Sequence, residues 1–508
     1  MAFAKVFCAQ HSLLKAHIVD VEVDISKGLH LFSIVGLPDK GVEEARDRVS
    51  AAIKNSGYPS PKSTNQKITV SLAPADVKKE GPLFDLAIAL GYLLSTEQIA
   101  FDPKNKLFLG ELALDGTVRP VRGVLALTQE AKKLGFTEIY VPKENAREAA
   151  LIDGVSIFGV KNLKEVINHL TPKVQFSIPQ QEKTALLYLP PKLHVDWSDV
   201  RGQDSTKRGL EIAAAGGHNI AMYGPPGTGK TMLARAFTGI LPPLSFNDVL
   251  EITAIHSIAG TLQEDLITNT PFRSPHHTSS YVSLIGGGTT PKPGEVTLAH
   301  RGVLFLDEFP EFDRRVIESL REPLEDRVVT VSRAKGTARF PAEFILIAAM
   351  NPCPCGNFGV TGKRCACPAY RVEQYRKKIS GPIVDRIDLW LETVPVKHSL
   401  LSAKREGESS ETVKERIVRA RDIQATRFKN TQLRLNAQMS SRDIETFANL
   451  EPKALETLTK SAGQLGLSAR AFHRVIKLAR TIADLADSKN ITERHIFEAL
   501  QYRPKSIA

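Results

Sequence analysis

The chain has 508 residues and a net charge of +11 at pH 7, with 42% hydrophobic and 24% charged residues. This composition excludes a disordered chain and predicts two or three domains. No run of eighteen apolar residues occurs, so the sequence predicts no membrane-spanning helix. The N-terminal segment lacks an apolar stretch followed by a cleavage site, and we therefore expect a cytoplasmic protein.

The positive charge is unevenly distributed along the chain. Residues 401–508 carry 20 basic and 13 acidic side chains, which is +7 of the total +11. A basic surface favours a polyanionic partner such as nucleic acid.

Hydrophobic patterning divides the chain into four segments. Residues 1–170 alternate β-like runs with helical patterns, and residues 171–195 carry four prolines without a period, which is typical of a linker. Residues 196–393 contain continuous apolar strands followed by helices, which predicts an α/β fold with a doubly wound parallel sheet. Residues 394–508 show only helical periodicity and predict a helical C-terminal region.

A glycine-rich motif in the third segment predicts a nucleotide site. The apolar strand 220–223 is followed by Gly224-Pro225-Pro226-Gly227-Thr228-Gly229-Lys230-Thr231 and then by a helical pattern. Such a loop directs backbone N–H groups at phosphate oxygens beside a helix N-terminus. Lys230 is expected to contact the β- and γ-phosphates of ATP, and the Thr231 hydroxyl to bind Mg²⁺. An ordinary Gly/Pro turn is the alternative.

Two further apolar strands end in polar residues. The run 303–306 is followed by Asp307 and Glu308, and a third strand ends at Asn351. Asp307 can hold Mg²⁺ through water, and Glu308 can polarise the attacking water. Because ligands of an open parallel sheet gather at the carboxyl ends of its strands, we expect Asn351 near the γ-phosphate. The alternatives are that Asp307 and Glu308 are solvated acids at the end of a strand and that Asn351 is a turn residue.

Two arginines complete the candidate nucleotide site. Arg386 follows a short helical stretch, and Arg470 begins a helix in the C-terminal segment. An arginine from a neighbouring subunit can stabilise the charge on a transferred phosphoryl group. From the residues alone, a surface salt bridge is an equally good interpretation of each arginine.

Four of the five cysteines lie within fifteen residues, at Cys353, Cys355, Cys365 and Cys367. Four thiolates suffice for a tetrahedral structural Zn²⁺ site. In an extended backbone residues two apart face the same side, so each pair is expected to bind one metal together. Redox disulfides and unligated thiols are the alternatives.

The adjacent His276 and His277 are a further candidate. Adjacent residues of a helix or strand do not share a face, which argues against a common metal ion. We therefore expect them in a loop that projects toward the substrate.

Six motifs carry a resemblance to a known family: DWSDVRGQ (196–203), GPPGTGKT (224–231), RSPHHTSS (273–280), HRGVLFLDEFPEF (300–312), REPLEDRVVTVSRAKGTARFPAEFILIAAMNPCPCG (321–356) and SARAFHRVIKLARTIADL (468–485). Over nearly its whole length the chain resembles the magnesium-chelatase-like AAA+ ATPases, and most closely their ComM/YifB group. The resemblance implies an AAA+ core with a C-terminal helical lid. It also implies that Arg386 is an arginine finger, Asn351 a first sensor and Arg470 a second sensor.

The same resemblance implies a function. Members of the ComM type resemble hexameric, homo-oligomeric ring motors that act as helicases on single-stranded and branched DNA. They drive branch migration in homologous recombination and natural transformation. The hairpin at 328–340 matches one that points into a central pore, where Arg333 and Lys335 are expected to grip DNA. A chelatase-type motor that remodels a protein partner for metal insertion is the alternative function.

Residues 1–170 resemble the proteolytic domain of Lon-type proteases in VKKEGP (77–82) and GELALDGTVRPVRGV (110–124). Leu83 occupies the position of that family's nucleophile, and Leu125 that of its catalytic lysine. A serine–lysine dyad needs a hydroxyl and an amine, and leucine supplies neither. We therefore expect residues 1–170 to be a scaffold or DNA-handling module. An ATP-dependent protease, the third possible function of the chain, is disfavoured.

Overall fold

The computed structural model describes residues 3–12, 15–63, 65–75, 77–172, 174–184, 195–262, 266–288, 292–333, 336–360, 363–396 and 407–504. They belong to two compact units. The first unit lies within residues 1–188 and 246–267, and the second within residues 189–245 and 268–508. None of the helices in the described ranges combines the length and the apolar character that a membrane crossing needs.

The first unit is built on a mixed sheet. Its strands are β1 (Phe3–Ser12), β2 (Lys15–Lys27), β3 (Leu31–Val35), β4 (Gln66–Ala73), β5 (Lys106–Phe108), β6 (Glu111–Leu112), β7 (Val118–Arg119), β8 (Glu138–Pro142) and β9 (Ser156–Val160). Seven of them form one sheet in the order β3-β4-β2-β1-β5-β8-β9. The β1–β2 and β2–β4 pairs are antiparallel and the others are parallel.

The helices of this part of the chain are α1 (Lys40–Glu43), α2 (Ala45–Asn55), α3 (Asp85–Ser95), α4 (Val124–Lys133), α5 (Ala146–Ala149) and α6 (Leu163–Leu170). Helix α3 is the central one, since nearly all of its side chains are buried. It lies close to β2, because a Cβ on Gly91 would be 2.9 Å from Cγ2 of Val23. Alternate valines of β2, including Val19 and Val21, are fully buried, as period-two alternation predicts.

Part of the proline-rich segment 171–195 packs on the first unit. The Gln181 N–H donates to the Ile157 carbonyl at 2.8 Å, and Ile178 is 5% exposed. The physical reason is that β9 is an edge strand, whose unpaired backbone groups can accept an extended segment. Prolines prevent a helix here, but they do not prevent this pairing. The remainder of the predicted linker, 185–194, lies outside the described residues.

The second unit contains a fully parallel sheet, as the sequence predicts. Its strands are β10 (Ile220–Tyr223), β11 (Phe272–Arg273), β14 (Val303–Leu306), β17 (Ile345–Met350) and β18 (Leu389–Glu392), in the order β11-β14-β17-β10-β18. The shorter strands β12 (Gly286–Gly287) and β13 (Lys292–Pro293) pair with each other, and β15 (Val328–Arg333) forms an antiparallel hairpin with β16 (Gly336–Pro341). All five parallel strands end at one edge, where the phosphate-binding loop follows β10, Asp307 follows β14 and Asn351 follows β17.

The helices beyond residue 195 are α7 (Asp204–Gly216), α8 (Lys230–Ile240), α9 (Phe246–Ala259), α10 (Tyr281–Ile285), α11 (Glu295–Leu298), α12 (Arg314–Ser319), α13 (Arg321–Asp326), α14 (Ala369–Lys377), α15 (Gly381–Val384), α16 (Ser410–Arg427), α17 (Ser441–Phe447), α18 (Pro452–Leu465), α19 (Ala469–Leu485) and α20 (Glu493–Gln501). The prediction of a helical C-terminal region is confirmed. Helix α19 shows why: Val475, Leu478, Ala479 and Ile482 recur at helical spacing and are buried.

Helix α9 belongs to the first unit although it lies between β10 and β11 in the sequence. Its Leu250 packs in an apolar cluster with Leu125, Leu151 and Ile152. The Ser257 hydroxyl accepts a hydrogen bond from the Gly123 N–H at 2.8 Å. Helix α9, which the sequence pattern placed in the segment 196–393, thus packs within the first unit.

Candidate nucleotide and metal sites

The phosphate-binding loop joins β10 to α8 and requires its glycines. Gly227 and Gly229 have φ values of +80° and +85°, a left-handed conformation that favours glycine. A Cβ on Gly224 would lie 2.2 Å from the carbonyl oxygen of Thr393. The loop therefore leads into the N-terminus of α8, a position that favours anion binding.

Lys230, the first residue of α8, is held inside the loop. Its Nζ donates to the carbonyl oxygens of Gly224 at 2.8 Å and Pro225 at 2.9 Å, and to Oδ1 of Asn351 at 3.2 Å. Burial lowers the pKa of this ammonium group, and the negative charge of Asp307 opposes the shift. The structure thus brings together Lys230 and Asn351, which are 121 residues apart in the sequence.

The Thr231 hydroxyl donates to Oδ2 of Asp307 at 3.0 Å. This pair offers a hydroxyl and a carboxylate oxygen beside the phosphate-binding loop, which is a donor set that suits Mg²⁺ bound together with a nucleotide. The second carboxylate oxygen of Asp307 accepts the Glu308 N–H at 2.9 Å. Glu308 has a φ of +51°, an uncommon conformation for a residue that is not glycine.

His277 contacts the carboxylate of Glu308, which the sequence did not predict. Its Nδ1 lies 3.2 Å from Oε2 of Glu308, and its ring meets the edge of Phe312. The rings of His276 and His277 are 4.1 Å apart between centroids. Both histidines lie outside helices and strands, as expected of a loop, so the face rule for those elements does not apply to them. The only signal was their placement in the RSPHHTSS motif.

Gln203 connects the loop to the end of β18. Its Nε2 donates to the carbonyl oxygens of Thr228 at 3.3 Å and Val394 at 2.6 Å. The Thr228 hydroxyl forms a further hydrogen bond with the Thr393 hydroxyl at 2.8 Å. Gln203 ends the DWSDVRGQ motif, and its role was missed because its contact with Val394 spans 191 residues of sequence.

The two candidate arginines converge on one carboxylate of the same chain. Arg386 and Arg470 both form ion pairs with Glu325, the latter at 3.5 Å. Burial and the positive charges of Arg470 and Arg321 lower the pKa of the Arg386 guanidinium. Within the described residues, neither arginine hydrogen-bonds to the phosphate-binding loop.

The four clustered cysteines form a candidate metal centre. Their sulfur atoms all lie within 4.8 Å of one another, and three of the pairwise distances are 3.4, 3.7 and 3.6 Å. A tetrahedral Zn²⁺ site has sulfur atoms about 3.8 Å apart, so the thiols fit such an ion. The four thiols do converge, but the extended backbone expected for the first pair, Cys353 and Cys355, is wrong. The chain instead bends and turns at residues 352–356, and the turn brings the first two thiols together.

In the hairpin β15–β16, Lys335 and the side chain of Arg333 lie outside the described residues.

The two positions that match the Lon dyad pack in the first unit. Leu125 is 1% exposed in the cluster with Leu250, and Leu83 packs against the core of the first unit. Burial strongly raises the pKa of the nearby Cys8 thiol, whose Sγ lies 3.6 Å from the Leu83 carbonyl oxygen.

A parallel sheet in this strand order, with a phosphate-binding loop after β10 and an acidic pair after β14, defines the AAA+ class. Comparisons with known families agree. Residues 196–401 match "Magnesium chelatase, subunit ChlI", residues 21–145 match "Subunit ChlI of Mg-chelatase", and residues 407–503 match "Magnesium chelatase, subunit ChlI C-terminal".

Two relatives match the chain over nearly its whole length. "Uncharacterized protein YifB" of Escherichia coli is 45% identical over 489 residues, which cover 96% of this chain and 94% of that protein. "Competence protein ComM" of Haemophilus influenzae is 41% identical over 508 residues, or 99% and 98% of the two chains. The chain therefore belongs to the magnesium-chelatase-like family of YifB and ComM, whose AAA+ core implies ATP and Mg²⁺ as ligands.

A more distant relative is the "DNA replication licensing factor Mcm6" of Drosophila melanogaster. It is 21% identical over 330 residues, which cover 61% of this chain and 37% of that protein.

Proposed function

We propose that this chain is an ATP-driven DNA motor that acts as a helicase and drives branch migration in homologous recombination and natural transformation. It works as a homo-oligomeric, hexameric ring on single-stranded and branched DNA. The observation that carries the ring is the pairing of Arg386 and Arg470 with Glu325. Among the described contacts, neither arginine hydrogen-bonds to the phosphate-binding loop of its own chain, and in this proposal an arginine from a neighbour completes each site.

The residues at the strand ends have separate roles in this proposal. Lys230 binds the β- and γ-phosphates, while Thr231 and Asp307 hold Mg²⁺. Glu308 polarises the attacking water, and Asn351 positions that water and the γ-phosphate. The support is their proximity: Thr231 touches Asp307, and Asn351 touches Lys230.

Charge and relatives support DNA as the partner. The net charge of +11 favours binding to phosphates, and such binding weakens linearly with salt on logarithmic axes. One relative is named a competence protein and another a DNA replication licensing factor. The first unit serves as a scaffold or DNA-handling module, since Leu83 and Leu125 replace a catalytic dyad.

We further propose that the four cysteines hold one structural Zn²⁺. Metal analysis of protein purified without chelators should find about one zinc per chain, and Cys353→Ser should release it. Protein without zinc, or zinc retained after the substitution, would contradict this site.

The function is tested by measuring ATP hydrolysis with and without DNA. Forked, bubble and three-stranded DNA should stimulate hydrolysis, and the stimulation should decrease with salt. The alternative is a chelatase-type motor that remodels a protein partner for metal insertion, which the names of the matching families favour. If none of these DNA substrates changes the rate of ATP hydrolysis, the DNA motor would be contradicted and the alternative favoured.

A further inference from the structure

The four-cysteine lobe, defined as residues 351–360 and 363–368, touches the phosphate-binding loop. Gly356 follows Cys355 and faces Pro226 in the loop. A Cβ on Gly356 would lie 2.5 Å from Cδ and 3.0 Å from Cγ of Pro226. A Cβ this close would force the rigid Pro226 ring or the lobe to shift, so glycine is the residue that fits this contact without a displacement.

The position of Gly356 depends on the cysteine cluster. Its N–H donates to the carbonyl oxygen of Cys353 at 2.9 Å, and its φ is +77°. The N–H of Phe358 donates to the sulfur of Cys353 at 3.3 Å. The turn that presents Gly356 is therefore built around the buried thiol of Cys353, one of the four candidate metal ligands.

Pro226 is in turn linked to the residues that surround Lys230. The carbonyl oxygen of Pro225, the preceding residue, accepts hydrogen bonds from Lys230 at 2.9 Å and from the Thr228 hydroxyl at 2.9 Å. On the other side, Asn351 binds Lys230 and lies only two residues before Cys353. A shift of the lobe would thus reach Lys230 from two directions.

We infer that Gly356 is a positioning residue for the nucleotide site. The four-cysteine lobe, closed by a thiolate-binding divalent cation, sets the position of Pro226 and through it the affinity of the loop for nucleotide. The contact between Gly356 and Pro226 stands without the metal, and only the dependence on metal rests on the proposed Zn²⁺ site.

The test compares two glycines of the lobe in the full chain. Gly356→Ala and Gly359→Ala introduce the same methyl group at similar φ values of +77° and +74°, but a Cβ on Gly359 meets nothing within 4 Å. Binding of a fluorescent ATP analogue with Mg²⁺ should weaken about tenfold in Gly356→Ala and less than about twofold in Gly359→Ala. The zinc content of both variants should equal that of the wild type.

Pro226→Ala provides the second arm, because it removes Cδ and Cγ from the contact. In the Pro226→Ala background, Gly356→Ala should change nucleotide affinity less than about twofold. A general loss of structure at Gly356 would not be rescued in this way. If Gly356→Ala alone folds poorly, nucleotide affinity can still be measured in the double variant.

The third arm removes zinc from the wild type with a chelator. Nucleotide binding should weaken and should recover when zinc is added back.

Three results would overturn the inference: wild-type affinity in Gly356→Ala, an equal loss in Gly359→Ala, or no rescue by Pro226→Ala. Unchanged affinity after confirmed zinc removal would overturn its metal part. Purified protein without zinc would overturn the proposed site, while the two substitution arms would still decide the contact.

Discussion

Lys230 and Glu308 occupy one site and should fail in different ways when they are replaced. Lys230→Ala removes the ammonium group held between the loop carbonyls and Asn351, so nucleotide binding should be lost. Glu308→Gln keeps the shape of the side chain but polarises water poorly. It should bind ATP with wild-type affinity and hydrolyse it at least about 100-fold more slowly.

Equilibrium binding of a fluorescent nucleotide and steady-state hydrolysis distinguish these outcomes. The separate roles would be refuted by an equal loss of nucleotide binding in the two variants.

His277 should contribute to hydrolysis through Glu308. The approach of its Nδ1 to the carboxylate restricts the orientation of the side chain, and such a half-exposed contact contributes about 0.2–1 kcal/mol. His277→Ala should therefore lower kcat by up to about fivefold and leave nucleotide affinity unchanged. His276→Ala is the control, because the described contacts of His276 are with Thr278 and the His277 ring and not with Glu308. Equal kcat values for the two variants would speak against this role.

Helix α9 lets the packing of the first unit be tested at the level of an element. Leu125 of α4 lies beneath Leu250 of α9 at 1% exposure. Leu125→Lys would bury an ammonium group in this apolar cluster, which costs several kcal/mol or forces the helix to move away. Amide hydrogen exchange in α4 and α9 should accelerate.

Leu134→Lys adds the same charge just after α4, where the side chain is 59% exposed, and should change nothing. Unaltered protection of α9 in Leu125→Lys would mean that the cluster does not hold the helix.

The elements also show what the sequence can and cannot predict. The strands β10, β14 and β17 were predictable because continuous apolar runs are typical of a parallel sheet, and their ends placed Lys230, Asp307 and Asn351 at one edge. The packing of α9 was not predictable, since a helical pattern gives its buried face but not the surface that it meets. The contacts of Gln203, His277 and Glu325 were missed for the same reason, because each joins segments far apart in the chain.

The whole molecule is expected to share its active sites between subunits. Arg386→Ala should leave ATP binding intact and abolish hydrolysis, because in the proposed ring this arginine acts on the nucleotide of a neighbour. In mixtures with wild-type chains, hydrolysis should fall faster than the wild-type fraction. Arg419→Ala, at an exposed position on α16, is the control, and it should not lower the hydrolysis of wild-type chains in the mixture. Activity that declines only in proportion to dilution would argue against shared sites.

Branch migration on three-stranded DNA is the measurement that tests the central proposal most directly. With ATP and Mg²⁺, the wild-type chain should move the branch and displace the labelled strand. Glu308→Gln should bind the same DNA without moving it, because motion requires hydrolysis. A wild-type protein that hydrolyses ATP but neither displaces a strand nor moves a branch, on three-stranded, forked or bubble DNA, would contradict the DNA motor.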